Sequence, residues 1–133
     1  MKDLVFHHIG YATNSIKETS SFYLERGYKA SEIIYDEVQQ TNICFLTKVG
    51  NPTIELIEPA TEKSSIHKIL KKNGVHPYHC CYEVEDIEKS FDQFAEDGFT
   101  PLFRPVEAIA LDNRLICYFY RSDVGFIELL NKL

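Results

Sequence analysis

The stretch HIGYATNSIKETSSFYLERGY (residues 8–28) has a near copy further along the chain, HCCYEVEDIEKSFDQFAEDGF (residues 79–99). Placing His8 on His79 puts Tyr11 on Tyr82, Ile16 on Ile87, Tyr23 on Phe94 and Gly27 on Gly98 without a gap. Further on, the IEL at 54–56 falls near the IEL at 127–129, so that Glu55 follows His8 by 47 residues and Glu128 follows His79 by 49. A match that runs through a strand, a helix and its terminating glycine reads as an internal duplication.

Each copy carries the same succession of signals. A short apolar strand comes first, LVFHHIGYA (4–12) and YHCCYEV (78–84). A helix follows, with Ser15-x-x-Glu18 as a capping box in the first copy and Asp86 as the N-cap in the second. Gly27 and Gly98 stand where a helix C-cap glycine belongs. Three strands complete each unit, over about 29–37, 41–48 and 53–58 and again over about 101–107, 114–121 and 125–131, with NPT (51–53) and SDVG (122–125) as turns. Between the copies, TEKSSIHKILKKNG (61–74) places Ile66, Ile69 and Leu70 at i, i+3 and i+4, and Asn73-Gly74 ends it as a connecting helix. The expected architecture is α+β, one domain over 1–133 built from two βαβββ modules, about 4–59 and about 77–131.

Bulk properties narrow the function. Hydrophobic residues make up 44% and charged residues 26%, as in an ordered soluble domain. A net charge of −6 and no strong run of lysine and arginine argue against nucleic acid. The longest apolar runs are of strand length, which argues against a membrane span, and the start lacks a signal peptide's apolar core. A cytoplasmic location is expected. Cys44, Cys80, Cys81 and Cys117 show no C-x-x-C spacing and read as free, core-packed thiols, with the adjacent Cys80 and Cys81 facing opposite sides of a strand.

The duplication singles out four polar residues, a histidine in each first strand (His8, His79) and a glutamate in each last strand (Glu55, Glu128). Glu55 shares a strand face with Ile57, and Glu128 with Phe126 and Leu130. An unpaired carboxylate buried among such neighbours costs several kcal/mol, roughly, after relaxation. A divalent cation removes that cost by neutralising the carboxylates locally. Nitrogen and oxygen donors suit zinc, nickel, cobalt, manganese or iron(II). A lone strand histidine is more often a hydrogen-bonded core or surface residue, and a lone strand glutamate more often a solvated one; repetition is what sets these four apart. His7, His67 and His76 have no matching partner and read as structural or surface residues. Glu58 alternates to the face opposite Glu55, before Pro59, and reads as a rim residue. The aromatics of CYFY (117–120) read as sheet core, with a dimer face as the alternative.

At these residues the chain resembles the vicinal oxygen chelate superfamily, which includes glyoxalase I, methylmalonyl-CoA epimerase, extradiol dioxygenases and the fosfomycin and bleomycin resistance proteins. The resemblance lies in HHIGYA (7–12), FY (22–23), IELIEP (54–59), HCCYEVEDIEKS (79–90), NRLICYF (113–119) and GFIELL (125–130). It implies two βαβββ modules joined in a curved, cupped mixed sheet with flanking helices, and one divalent metal ion (zinc, nickel, cobalt or manganese) on His8, Glu55, His79 and Glu128. It implies an isomerase or lyase that enolises a small carbonyl or acyl-CoA thioester substrate, with Glu55 or Glu128 as the catalytic base, and a homodimer. The epimerase carries a further glutamate on the strand before IEL; here the nearest is Glu37 in YDEVQQTNICFL (35–46), and its facing is open. Oxygen activation at iron(II) fits less well, because a facial triad uses two histidines and one carboxylate. The non-enzymatic alternative is a metal-free or non-catalytic small-molecule binding protein of the resistance type.

Overall fold

A computed structural model describes residues 3–133. Among the described residues the fold is mixed α+β, with ten strands and three α-helices arranged as two βαβββ modules. The chain divides into two compact units, residues 8–78 and residues 3–7 with 79–133, so strand β1 (Val5–Ala12) gives its first three residues to the second unit.

In the first unit the strand order is β2 (Lys29–Ala30), β4 (Thr41–Thr47), β5 (Thr53–Pro59), β1, with β3 (Ile34–Asp36) also on β4. β1 and β5 run parallel and β4 and β5 antiparallel. Helix α1 (Ile16–Leu24) follows β1 and sets Ile16 against Cys44, Leu46, Ile54 and Leu56, with Tyr11, Tyr23 and Tyr28 packed around them. Alternation then sends His8, Ile43, Phe45, Glu55 and Ile57 to the face away from the helix. Helix α2 (Ile66–Asn73) follows β5 and ends at Gly74, whose N–H donates to Leu70 O at 2.7 Å and whose φ is 70°. It is shorter than the span 61–74 suggests.

The second unit repeats the plan. Its strand order is β6 (His76–Val84), β10 (Gly125–Asn131), β9 (Arg114–Arg121), β7 (Thr100–Pro101), with β8 (Val106–Ala108) also on β9. Helix α3 (Ile87–Glu96) lays Ile87, Phe91 and Phe94 on Val84, Cys117, Phe119 and Leu129. The opposite face carries His79, Cys81, Ile116, Tyr118, Glu128 and Leu130.

Two strands depart from their expected spans for an identifiable reason. The segments 29–37 and 101–107 are each broken in two. Ser31 N donates to Phe45 O at 2.8 Å, while Phe45 N donates to the Ser31 side-chain oxygen at 2.9 Å. A hydroxyl thus replaces a ladder carbonyl and the strand pauses. In the second copy Leu102 N donates to Tyr118 O at 2.9 Å, and Pro105 then lacks the N–H needed to continue.

The helix starts hold a further repetition. Ser15 Oγ accepts from Glu18 N at 3.1 Å, and Asp86 Oδ1 accepts from the N–H groups of Glu88 and Lys89, as expected of N-caps. The return half of the capping box is taken over, since Ser15 N donates to Thr13 Oγ1 at 3.1 Å. Glu58 is not a mere rim residue. Its carboxylate accepts from Ile16 N at 2.7 Å and from Asn42 Nδ2 at 2.9 Å, and in the second copy Asn131 Oδ1 accepts from Ile87 N at 2.9 Å. Each last strand therefore caps the helix of its own module. Glu58→Ala is expected to cost about 1–2 kcal/mol in chemical denaturation, the range for losing a cap. Glu58→Gln should lose less, because the neutral amide of Asn131 already fills the same role.

None of the four cysteines is in a disulfide, and Cys81 is buried and Cys80 half-buried as their alternation requires. Burial, helped by the charges of Glu128 and Glu88, pushes the Cys117 thiol up to about 12, so this thiol is packing and not a nucleophile. No helix among the described residues is long and apolar enough to cross a membrane.

Candidate functional site

Each unit contains one buried histidine–glutamate pair. In the first, His8 Nε2 lies 3.2 Å from Glu55 Oε1; His8 is 0% exposed and Glu55 3%. Parallel pairing of β1 with β5 makes the contact, setting Gly10 opposite Glu55 and His8 opposite Thr53. Phe45, the β4 partner of Glu55, meets the His8 ring edge to face at 5.9 Å between centroids. In the second, His79 Nε2 lies 3.0 Å from Glu128 Oε1; His79 is 4% exposed and Glu128 1%. Here Cys81 and Tyr118 flank Glu128 on β6 and β9, and the Tyr118 ring meets His79 at 5.0 Å.

In both pairs a sheet of mostly apolar residues buries a carboxylate and turns an imidazole nitrogen towards it. Such an arrangement is costly in a protein that needs only a core. The facing atoms, Nε2 and a carboxylate oxygen, are the ones that a divalent cation of intermediate softness takes. The donor chemistry of each pair therefore fits a metal.

The other histidines fall outside these pairs. His67 Nε2 contacts Thr61 O at 2.9 Å, and His76 Nδ1 contacts Gly74 O at 2.7 Å, so both tie down loop backbone. His7 neighbours His8 on β1 and, by alternation, faces the other way. Glu37 is exposed in the turn after β3, with its carbonyl oxygen accepting from Gln40 Nε2. Neither β3 nor β4 contains a glutamate. The acid on that part of the sheet is Asp36, 3% exposed, whose Oδ1 accepts from Gln39 N. By register it shares the face of Glu55, through Thr41 and Pro59. The sequence reading assigns no role to Asp36 and counts Tyr118 among the core aromatics; the Tyr118 hydroxyl lies 3.5 Å from His79 Nε2.

Comparison with known proteins follows the same line. Residues 7–118 match the family model described as the glyoxalase/bleomycin resistance protein/dioxygenase superfamily. Among curated sequences, an ethylmalonyl-CoA/methylmalonyl-CoA epimerase of Cereibacter sphaeroides is 34% identical over 84 residues, covering 61% of this chain and 60% of that protein. A mitochondrial methylmalonyl-CoA epimerase of Dictyostelium discoideum is 34% identical over 85 residues, covering 61% and 49%. The matched part thus spans about half to three-fifths of these relatives' length. Among solved structures, a hypothetical protein from Bacillus halodurans C-125 superposes with a TM-score of 0.86 at 27% identity, covering 99% of this chain and 96% of that one. Methylmalonyl-CoA epimerase from Mycobacterium tuberculosis gives 0.85 at 21% identity, over 100% and 92%, which speaks for a common fold. With a family match over most of its length and two modules of the glyoxalase type, the chain belongs to the glyoxalase/bleomycin resistance protein/dioxygenase superfamily.

Proposed function

We propose that the two histidine–glutamate pairs, His8 with Glu55 and His79 with Glu128, together hold one divalent ion (zinc, nickel, cobalt or manganese), and that the protein enolises a small carbonyl or acyl-CoA thioester as an epimerase or related isomerase or lyase. The observation that carries this reading is the repetition of the same buried pair, at the same strand positions, in both modules. The epimerase relatives favour an acyl-CoA.

When bound, the metal supplies a Lewis acid that stabilises negative charge on a substrate oxygen, a contribution of several kcal/mol, roughly. The chain's own part is to hold that oxygen in a dry, apolar setting and to move a proton. His8 and His79 lie on strands and are fixed by aromatic neighbours, so they serve as rigid anchors. A carboxylate, Glu55 or Glu128, takes the proton next to the carbonyl and returns it, to the same carbon in an epimerase or to its neighbour in a lyase. Two-sided epimerisation needs a second acid; Glu37 is exposed in a turn, and Asp36, though buried on the face of Glu55, stands through Thr41 opposite Pro59, four residues along β5 from Glu55.

The test is elemental analysis of protein purified without added metal or chelator, followed by proton NMR of methylmalonyl-CoA, or of the methylglyoxal–glutathione adduct, incubated with it in D2O. One divalent ion per chain and enzyme-dependent loss of the α-proton signal are expected. Protein that takes up no zinc, nickel, cobalt or manganese and exchanges no α-proton would overturn the proposal in favour of a binding protein.

A further inference from the structure

The two modules differ at the far end of the sheet face that carries the glutamates. In the second, Arg114 on β9 donates from Nη2 to Glu83 Oε2 and from Nε to Asn131 O at 2.9 Å, so a largely buried cation meets a carboxylate there. Pairing of Ile34 with Ile43 in the first module corresponds to pairing of Val106 with Ile116 in the second. Thr41 therefore takes the place of Arg114, and Asp36 the place of Ala108. Both Thr41 and Asp36 are buried. The first module thus buries an acid and a hydroxyl where it has no arginine to meet them.

The fold does not account for either side chain. Asp36 Oδ1 accepts from Gln39 N at 3.1 Å, and no cationic side chain pairs with this carboxylate among the described residues. Thr41 Oγ1 is buried and makes no hydrogen bond among the described residues. A buried polar group left in this state costs free energy that a ligand group can recover. The two residues oppose each other across β3 and β4 on one face, with Cβ atoms about 5 Å apart by ordinary sheet geometry. A hydroxyl set between them satisfies both, taking the Thr41 hydrogen and giving its own to Asp36. An ammonium or amide N–H only donates and a carbonyl only accepts, so each leaves one of the two unmet. Thr41 also stands opposite Pro59, four residues along β5 from Glu55, a distance of about 13 Å. Pro59 is half-buried and Glu37 and Val38 are exposed, so the pair lies where this face reaches the surface.

We infer that Asp36 and Thr41 form a hydroxyl-binding subsite for the tail of an elongated substrate, and that this tail is the pantetheine arm of an acyl-CoA thioester. The inference rests on the enolising function proposed above and chooses between its two substrate classes. Pantetheine carries an alcohol hydroxyl well down its arm from the thioester, whereas the tail of a glutathione adduct offers amides, carboxylates and an ammonium but no alcohol. Binding energy gathered at a tail remote from the reacting carbon serves to position that carbon.

The test titrates S-acetylpantetheine into wild type, Thr41→Val, Thr41→Ser and Asp36→Asn, followed by ligand-observed NMR. The acetyl thioester of N-acetylcysteamine, which lacks the hydroxyl, serves as the control ligand. Thr41→Val should weaken S-acetylpantetheine binding about 5- to 10-fold, the worth of one neutral hydrogen bond. Asp36→Asn should weaken it about 10- to 100-fold, because an amide can present N–H where the carboxylate accepted. Thr41→Ser keeps the hydroxyl and should bind as wild type does, and the control ligand should bind all four proteins alike. In urea Thr41→Val should be no less stable than wild type, since the hydroxyl it removes has no partner. Equal affinity of wild type and Thr41→Val for S-acetylpantetheine would leave the pair as a place for water alone and overturn the inference. No binding of S-acetylpantetheine by wild type, or tighter binding of S-methylglutathione, would overturn it too. Failure of the enolising reading would show separately, as wild type that binds S-acetylpantetheine but exchanges no α-proton of methylmalonyl-CoA in D2O.

Discussion

Glu128→Ala should abolish both stable metal binding and proton exchange. Glu128 is 1% exposed and its carboxylate faces His79 Nε2 at 3.0 Å, so the substitution takes away a charged donor that a neutral water does not replace. Residues that merely orient ligands cost about 10–100-fold in affinity or activity when changed. Removal of a ligand that is also a candidate base should exceed that, with exchange falling by more than about 100-fold. Stability offers an independent readout. A ligand that binds only the folded state at 1,000 times its dissociation constant adds about 4 kcal/mol, which for a chain of this size raises Tm by an amount on the order of 10 °C. Wild type should show that rise when zinc, nickel, cobalt or manganese is added, and Glu128→Ala should not. Without metal the variant should itself be less stable than wild type, because removing one partner of a buried pair leaves the His79 imidazole uncompensated and a cavity beside it, so the readout is the metal-dependent rise and not the starting Tm. A variant that kept the metal-dependent rise would remove Glu128 from the ligand set.

The placement of His8, Glu55, His79 and Glu128 on buried faces was legible because two copies of one pattern were available. A single strand histidine has many ordinary explanations, and the same residue at the same position of a second module has few. Alternation along β5 and β10 then put each glutamate among apolar neighbours, and the structure buries both. What remained hidden depended on cross-strand register, which spacing alone does not fix. The pause at Ser31 arises because its hydroxyl meets Phe45 N, a contact that exists only once β2 and β4 are paired. The facing of Glu37 was open for the same reason; β3 ends at Asp36, and Gln40, at φ 56°, turns the chain.

Two residues have roles beyond those the sequence reading gives them, Glu58 as a rim residue and Tyr118 as a core aromatic. Glu58 and Asn131 each stand three residues after the repeated glutamate, and both are cap-forming side chains, so the duplication already paired them. Tyr118 was grouped with its neighbours as core aromatics. Strict alternation would have separated it from Phe119, which lies on the helix face, and the repeat would have set it against Phe45.

Phe119→Ala is expected to be the most destabilising single core substitution in the second unit. The side chain is 0% exposed and touches three other rings, with centroids 5.4 Å from Phe91, 4.9 Å from Phe94 and 6.4 Å from Phe99. Two of these rings come from α3, so Phe119 is the residue through which the helix grips β9. Truncation removes the transfer free energy of the ring and leaves a cavity that the other rings cannot fill without leaving their rotamers. The loss should be about 3–5 kcal/mol, a large share of the 5–15 kcal/mol that roughly brackets domains in general. Phe119→Leu should cost less than half as much, since it retains most of the apolar volume. The equivalent position in the first unit, Leu46, is also 0% exposed, but its cluster is built from aliphatic and cysteine side chains with three tyrosines at its margin. Leu46→Ala should therefore fall lower in the range, about 2–4 kcal/mol, because smaller neighbours can close part of the gap. Urea denaturation of the three variants, with slopes compared as well as midpoints, checks the ranking. Phe119 points to the helix side of β9 while Tyr118 points to the side of His79 and Glu128, so the folded fraction of Phe119→Ala should retain the metal content of wild type. Loss of metal from folded Phe119→Ala would show that the helix layer positions the ligands, and the alternation that separates core from site would no longer suffice to explain them.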